Sequence, residues 1–249
     1  MNQRLAQLQD ALMADDCDII MAARGGYGAS ELLPHLPWKK LSSMRPKLVI
    51  GFSDISALHG AIDRLLGWPC LHGPMPGTDP WTQNLGHEVD QMMEMIRTQT
   101  YRGRLSLLPK IDTDNSDQLI QGRLWGGCLS VLTNLIGTPF APLDLKDRIL
   151  FFEDIGENPA RVMRFWNQWL QSGLIDQARA VVLGRFLQTG DEQKGEAMIR
   201  EQIQQRTRVP VFVCEGFGHG SPNYPILIGA MAKIDGAELN WQSVIADSI

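Results

Sequence analysis

The chain has 249 residues, a formal net charge of -5, 44% hydrophobic residues and 20% charged residues. That is enough chain for one or two domains with a substantial core, and the composition is globular rather than disordered. A nucleic-acid binder would carry a basic patch, so the acidic balance argues against that partner. The start, MNQRLAQLQDALMADD, lacks the apolar run of a secretory signal. The stretch from Leu124 to Leu143 is uncharged and about long enough to span a bilayer. Its Gly126, Gly127, Ser130, Asn134, Gly137, Pro139 and Pro142 suit a loop–helix–loop instead, and no membrane partner is expected. Cys17, Cys70, Cys128 and Cys214 lie far apart without a C-x-x-C pair, which indicates neither a zinc knuckle nor a disulfide frame. The expectation is a soluble protein of a reducing compartment such as the cytoplasm.

Leu5, Leu8, Ala11 and Leu12 recur at helical spacing and predict a short amphipathic helix ending near Ala14. Asp18 to Ala23 follows as an apolar strand, then the turn Arg24-Gly25-Gly26-Tyr27-Gly28. A short helix from Ser30 is broken by Pro34 and Pro37. Lys47 to Phe52 reads as a second buried strand. Asp54 to Leu66 reads as a helix through Ile55, Leu58, Ile62 and Leu65, and Pro69 to His72 as a third strand. A Gly/Pro loop runs from Gly73 to Trp81, and Leu85, Val89, Met92, Met93 and Ile96 mark another amphipathic helix. Strands alternating with helices imply a parallel, doubly wound α/β domain over residues 1–98.

Arg104 to Leu108 and Leu119 to Leu124 are strand-like around the polar turn Asp112 to Asp117, and residues 99–118 read as a linker. Residues 119–249 form a second α/β domain. It has helices from Gly127 to Ile136, Pro159 to Gln171 and Glu192 to Gln205. Its strands run from Arg148 to Glu153, Ala180 to Phe186 and Val209 to Cys214. Three short terminal strands, Pro225 to Ile228, Met231 to Ile234 and Glu238 to Trp241, complete it.

Gly25-Gly26-Tyr27-Gly28 fails the dinucleotide fingerprint, because Glu31 stands where a third glycine is needed. It is either a plain tight turn or a loop whose backbone N–H groups face a ligand. Ser53 falls between a buried strand and an amphipathic helix, the place of a nucleophile elbow at the sheet's carboxyl edge. The Asp54 N–H would then help to bind an oxyanion. The competing reading makes Ser53 an N-cap, and Ile55 departs from G-x-S-x-G. Among the five histidines, His219 is the best base, since it follows a strand inside the loop Gly216-Phe217-Gly218-His219-Gly220. His59 reads as structural, His35 and His87 as solvated, and His72 as a weaker candidate. Glu153 or Asp154, at the end of the apolar strand, would orient the base. No Cys/His/carboxylate cluster has metal spacing, so neither a metal nor another cofactor is expected.

Taken in order, these segments resemble the serine L,D-carboxypeptidases. The matching residues are Ala23 to Ala29, Gly51 to Leu58, His72 to Met75, Gly122 to Gly127, Leu135 to Pro139, Phe152 to Glu157 and Gly218-His219. The family includes murein-recycling muramoyltetrapeptide carboxypeptidases and a branch that inactivates microcin-type peptidyl nucleotides. The resemblance implies Ser53 as nucleophile, His219 as general base and acid, and Glu153 as orienting carboxylate, with Glu157 the runner-up. It implies an oxyanion hole from the Gly25-Gly26 turn and Asp54, in a cleft between the two domains. It also implies a homodimer and a murein tetrapeptide substrate losing its terminal D-Ala. Arg24 or Arg185 would bind the free carboxylate.

Two rivals stand beside that reading. One is hydrolysis of a peptidyl or aminoacyl nucleotide, with Trp125 or Trp81 stacking on the base. The other is a catalytically silent binder of murein peptides, which the filled triad positions oppose. Cys128 stands where the family more often has Asn. The family also has a strand–helix–strand segment upstream of the region matched by Met1. Its absence predicts that Asp18 to Ala23, apolar enough to be covered on both faces, leaves an unpaired sheet edge. Either an upstream segment or another chain is then expected to cover that edge.

Overall fold

A computed structural model describes residues 2–108, 119–142, 144–187 and 192–244. The polar turn expected at Asp112 to Asp117 lies outside these residues. Among the described residues the strands are β1 (Ile19–Met21), β2 (Leu48–Gly51), β3 (Cys70–His72), β4 (Thr100–Ser106), β5 (Ile120–Cys128) and β6 (Arg148–Ile155), followed by β7 (Ala180–Leu187), β8 (Val211–Val213), β9 (Ile226–Ile228), β10 (Met231–Asp235) and β11 (Glu238–Val244). They form a four-stranded sheet, β1-β2-β3-β9, and a seven-stranded sheet, β4-β11-β10-β5-β6-β7-β8.

In the first sheet β1, β2 and β3 are parallel, as strands joined by helical crossovers must be when they share one sheet. β2 and β3 are fully buried, with helix Ser56–Leu65 joining them. β1 is the edge strand, and its three residues are only half-buried rather than covered on both faces. β9 pairs antiparallel with β3, so the chain returns to the first sheet after building most of the second. The expected assignment of residues 225–228 to the second domain is corrected accordingly. The second sheet is mixed: β5, β6, β7 and β8 are parallel, while β10, β11 and β4 are antiparallel. β4 lies inside the segment read as a linker, yet it is an integral edge strand of this sheet.

Local chemistry explains most element ends. Helix Pro159–Gln171 starts where the Asn158 side chain accepts a hydrogen bond from the Arg161 N–H at 3.0 Å, with Pro159 in the first turn. Its apolar face buries Val162, Trp166 and Trp169. Phe152 of β6 meets the rings of Trp169 and Trp166 at 5.1 and 5.9 Å. Buried aromatic packing of this kind stabilises by several kcal/mol per ring, on the order of 3–5 for truncation to alanine. Gly127 does not start a helix as expected, and Gly126 stays in the strand with it. They continue β5 as far as Cys128, opposite Phe151 and Phe152, and the helix is confined to Leu129–Thr133.

The two sheets share one core. Trp125 of β5 packs near helix Ser56–Leu65, and Arg148 of β6 pairs with Asp63 of that helix at 3.6 Å. The Cys128 N–H donates to Ser56 Oγ at 3.0 Å across the same junction. Among the described residues no helix is long and apolar enough to cross a membrane, and no His/Cys/Asp/Glu group could hold a metal ion.

Candidate active site

The carboxyl ends of β1, β2 and β3 open onto one side, as parallel strands of a single sheet must. β2 ends at Gly51, and the chain turns abruptly through Phe52 and Ser53 into the short turn Ser53–Ile55. Ser53 has φ 61°, a left-handed conformation that is uncommon for a residue with a side chain. Strain of this kind persists only where the surroundings impose it. Ser53 is the first residue of that turn, with Phe52 in the N-cap place, so it is not the N-cap of the competing reading. Its side chain is directed toward His219.

His219 Nε2 lies 3.0 Å from Ser53 Oγ, and His219 Nδ1 lies 2.6 Å from Glu153 Oε2. The His219 backbone N–H also donates to Glu153 Oε2, at 3.1 Å. Three side chains from β6, the β2 turn and the β8–β9 loop thus form one hydrogen-bonded row. Glu153 is completely buried, whereas the His219 side chain keeps 14% of its surface. Burial alone would raise the Glu153 carboxyl, but the charge and hydrogen bonds of His219 outweigh it and hold it below the ordinary carboxylate value. Burial opposes protonation of His219, yet the charge of Glu153 and their hydrogen bond raise it above its usual 6.5.

Two glycines permit this row. A Cβ on Gly25 would stand 2.8 Å from Ser53 Cβ and 3.0 Å from its Oγ. A Cβ on Gly218, at φ 100°, would stand 2.8 Å from Glu153 Cβ. Neither position has room for a side chain. The Gly25 position is also 3.5 Å from the Asp54 nitrogen, so both backbones border the serine hydroxyl. The Asp54 carboxylate points away and accepts the Ala29 N–H at 2.9 Å, tying the glycine turn to the β2 turn. Burial raises the Asp54 carboxyl despite that bond.

The His219 loop is anchored from the first half of the chain. Glu88, buried on helix Glu88–Thr98, accepts the Asn223 N–H at 3.2 Å and a short hydrogen bond from the Ser221 hydroxyl. Asn223 Oδ1 in turn accepts the Gly218 N–H at 3.0 Å. Neither Glu88 nor Asn223 was singled out from the sequence, because a carboxylate on an amphipathic helix reads as solvated.

The row opens into a cleft of about 240 Å3, lined by Arg24, Gly25, Gly26, Ser53, His219 and Gly220 and closed by Met75, Gly77 to Pro80 and Ile155. In the sequence the Met75–Pro80 wall is part of a Gly/Pro loop, of which Met75 alone belongs to a segment of the family resemblance. Its position after β3, on the edge shared with Gly25 and Ser53, is the signal that marks it. A larger groove of about 1150 Å3 lies between helix Glu88–Thr98 and the second sheet, among residues such as Glu94, Arg102, Trp241 and Gln121. It contains none of these groups.

The other candidates separate cleanly. Asp154 faces away from His219 and caps helix Leu129–Thr133, accepting the Ser130 N–H at 2.7 Å. Burial, with Glu153 adding, pushes Asp154 up to about 6. Glu157 pairs with Arg161 at the surface. His72 is buried among Phe52, Phe151 and Phe217, and burial lowers it to about 4. His59 is likewise buried, and lowered to about 3. His87 pairs with Asp90 at the surface. Trp125, expected to touch substrate, is 1% exposed and packs against Trp169 at 6.0 Å. That assignment is corrected: the ring belongs to the core, because the β5 strand that carries it is buried on both faces there.

Residues 1–73 match the sequence model of the LD-carboxypeptidase N-terminal domain, and residues 121–234 that of the LD-carboxypeptidase C-terminal domain. The chain is 31% identical over 244 residues to the murein tetrapeptide carboxypeptidase of Pseudomonas aeruginosa, covering 96% of this chain and 79% of that one. It is 26% identical over 263 residues to the microcin C7 self-immunity protein MccF of Escherichia coli, covering 94% and 74%. Among solved structures, the muramoyltetrapeptide carboxypeptidase from Oxalobacter formigenes superimposes with a TM-score of 0.80 at 29% identity, covering 97% of this chain and 84% of that one. Both halves match in chain order and the fold is shared along nearly the whole length, so this protein belongs to the LD-carboxypeptidase family.

Proposed function

We propose that the protein is a serine-type L,D-carboxypeptidase that releases the terminal D-Ala of murein tetrapeptides, the reaction of cytoplasmic murein recycling. The observation that carries this reading is the row Ser53–His219–Glu153 at the mouth of the cleft. Ser53 Oγ attacks the carbonyl carbon preceding D-Ala while its proton passes to His219 Nε2. Glu153 fixes the imidazole through Nδ1 and stabilises the imidazolium that forms. The oxygen of the tetrahedral intermediate turns toward the Asp54 N–H and the Gly25-Gly26 turn, whose backbones border the hydroxyl. Breakdown expels the D-Ala nitrogen, which takes the proton from His219. Water, activated by the same imidazole, then hydrolyses the acyl-serine. The murein peptide is favoured as substrate by the names of the relatives that match most of the chain.

The nucleotide reading needs an aromatic platform for a base. Neither Trp125 nor Trp81 lines the cleft, which leaves that reading without the residues named for it. The test is to incubate the protein with L-Ala–γ-D-Glu–meso-diaminopimelate–D-Ala and measure free D-Ala. Release by wild type and none by Ser53→Ala is expected. Release that persists in Ser53→Ala would overturn the assignment.

A further inference from the structure

An enzyme confined to the terminal residue must recognise a free carboxylate close to the bond it breaks. In the substrate that carboxylate is separated from the scissile carbon only by the D-Ala nitrogen and Cα. A cation that reads it must therefore project into the same small cleft as Ser53. The sequence left two arginines open for this role, and the structure separates them.

Arg185 Nη1 donates to the Pro222 carbonyl at 2.7 Å, behind the His219 loop, and the side chain does not line the cleft. Arg24 does line it, and no lysine or other arginine joins it there. Its stem rests against Gly77, whose would-be Cβ lies 3.3 Å from Arg24 Cβ. Its guanidinium reaches back over Gly26, with Nη1 4.0 Å from the Cβ position of that residue. Arg24 directly precedes Gly25, the residue in contact with Ser53, and consecutive Cα atoms are about 3.8 Å apart. Among the described residues it makes no ion pair and no hydrogen bond, so its donors are unspent.

We infer that Arg24 is the specificity residue that binds the substrate's terminal carboxylate, an inference that rests on the carboxypeptidase reading above. The planar guanidinium offers a two-pronged match to a carboxylate. Lying over Gly26, it holds the D-Ala carboxylate on the same side as the backbone donors of the glycine turn. The scissile carbonyl is thereby presented to Ser53 with its oxygen toward that turn. A peptide extended beyond D-Ala would place an uncharged amide against Arg24 and run into the Met75–Pro80 wall, which restricts cleavage to the last residue. The interaction is made equally before and during bond breaking, so its loss raises KM more than it lowers kcat.

The test compares the tetrapeptide free acid with its C-terminal carboxamide, in wild type, Arg24→Gln, Arg24→Lys and Arg185→Gln. Wild type should prefer the acid by about 10 to 100-fold in kcat/KM, the range of a hydrogen bond to a charged group. Arg24→Gln should lose that factor on the acid, chiefly through KM, and lose little on the amide, which also reports that Ser53 and the fold are intact. Arg24→Lys should keep part of the preference, and Arg185→Gln should reduce both substrates alike. An equal loss on both substrates in Arg24→Gln, or an undiminished preference, would overturn the assignment of Arg24 alone. Failure of wild type to release D-Ala from the free acid would overturn the parent reading and this inference together.

Discussion

The two sheets meet at the cleft but contribute different physics to it. The four-stranded sheet supplies position: the left-handed Ser53, the close approach of Gly25, and backbone nitrogens at strand ends. The seven-stranded half supplies charge: a completely buried Glu153 at the end of β6, and through the β8–β9 loop a His219 raised by it. The difference is one of tolerance. Position depends on atoms that must be absent, such as a Cβ on Gly25, whereas charge depends on atoms that must be present and desolvated. Each half is inert without the other, because a strained serine far from a base is an ordinary alcohol.

The largest effect expected is therefore loss of the link itself. Ser53→Ala and His219→Ala should each lower kcat/KM for D-Ala release by about 10^4-fold or more, with the melting temperature of Ser53→Ala close to wild type and that of His219→Ala lowered, because it leaves the buried Glu153 carboxylate without its partner. The double variant should be scarcely worse than either single one, since the pair acts as a unit. Additive losses would mean that the two halves contribute independently.

Glu153→Gln tests the charged half alone. It keeps the shape but removes the negative charge and allows the wrong imidazole tautomer, for which a loss of roughly 10^3 to 10^4 is expected. It should also move the pH profile. His219 must be neutral to accept the serine proton, so activity falls as pH drops through its pKa, which lies above 6.5 in the free protein. Without the Glu153 charge that limb should move to lower pH. An unmoved limb would show that another group controls it.

Gly25→Ala tests the positional half. The added methyl would meet Ser53 Cβ at 2.8 Å, displacing the serine or the backbone donors beside it. A loss of about 10^2 to 10^3 is expected, the scale of one missing oxyanion donor. The acid limb should stay where it is, because neither Glu153 nor His219 has changed. A shifted limb in Gly25→Ala would blur the division between the halves.

The division also governs what a sequence can reveal. Ser53 and His219 were legible because abrupt strand ends and glycine-rich loops are written in local sequence. Helix Pro159–Gln171 was legible for the same reason, from Asn158, Pro159 and the spacing of its apolar residues. β9 was not, since three apolar residues carry no mark of which sheet they join. Gly127 reads as the start of a helix, yet Gly126 and Gly127 continue β5 against β6. The Glu88–Asn223–Gly218 anchoring links residues more than a hundred positions apart, and only packing brings them together. Trp125 departs from its expectation for the same reason: a large aromatic reads as a surface on which a base could stack, while its actual partners, Trp169 and the helix Ser56–Leu65, come from distant segments.

The smallest expected effect concerns stability, and it separates two kinds of buried histidine. His219 sits beside a carboxylate and is raised, whereas His59 and His72 lack such a direct partner and are lowered by burial to about 3 and about 4. Both lie in the four-stranded half, on helix Ser56–Leu65 and β3. A group whose folded pKa is depressed stabilises the fold above its unfolded value, near 6.5, and loses that contribution as pH falls toward the folded value. Between pH 6.5 and about 4 the unfolded chain takes up these protons and the folded protein does not. Each histidine should then cost about 1.4 kcal/mol of stability per pH unit. Urea unfolding at pH 7.5 and pH 5.5 should show a drop to which these two residues contribute roughly 3 kcal/mol. His59→Leu should remove about half of that contribution while leaving the acid limb of activity, set by His219, in place. A pH dependence of unfolding identical to wild type in His59→Leu would show that His59 is not held neutral in the fold.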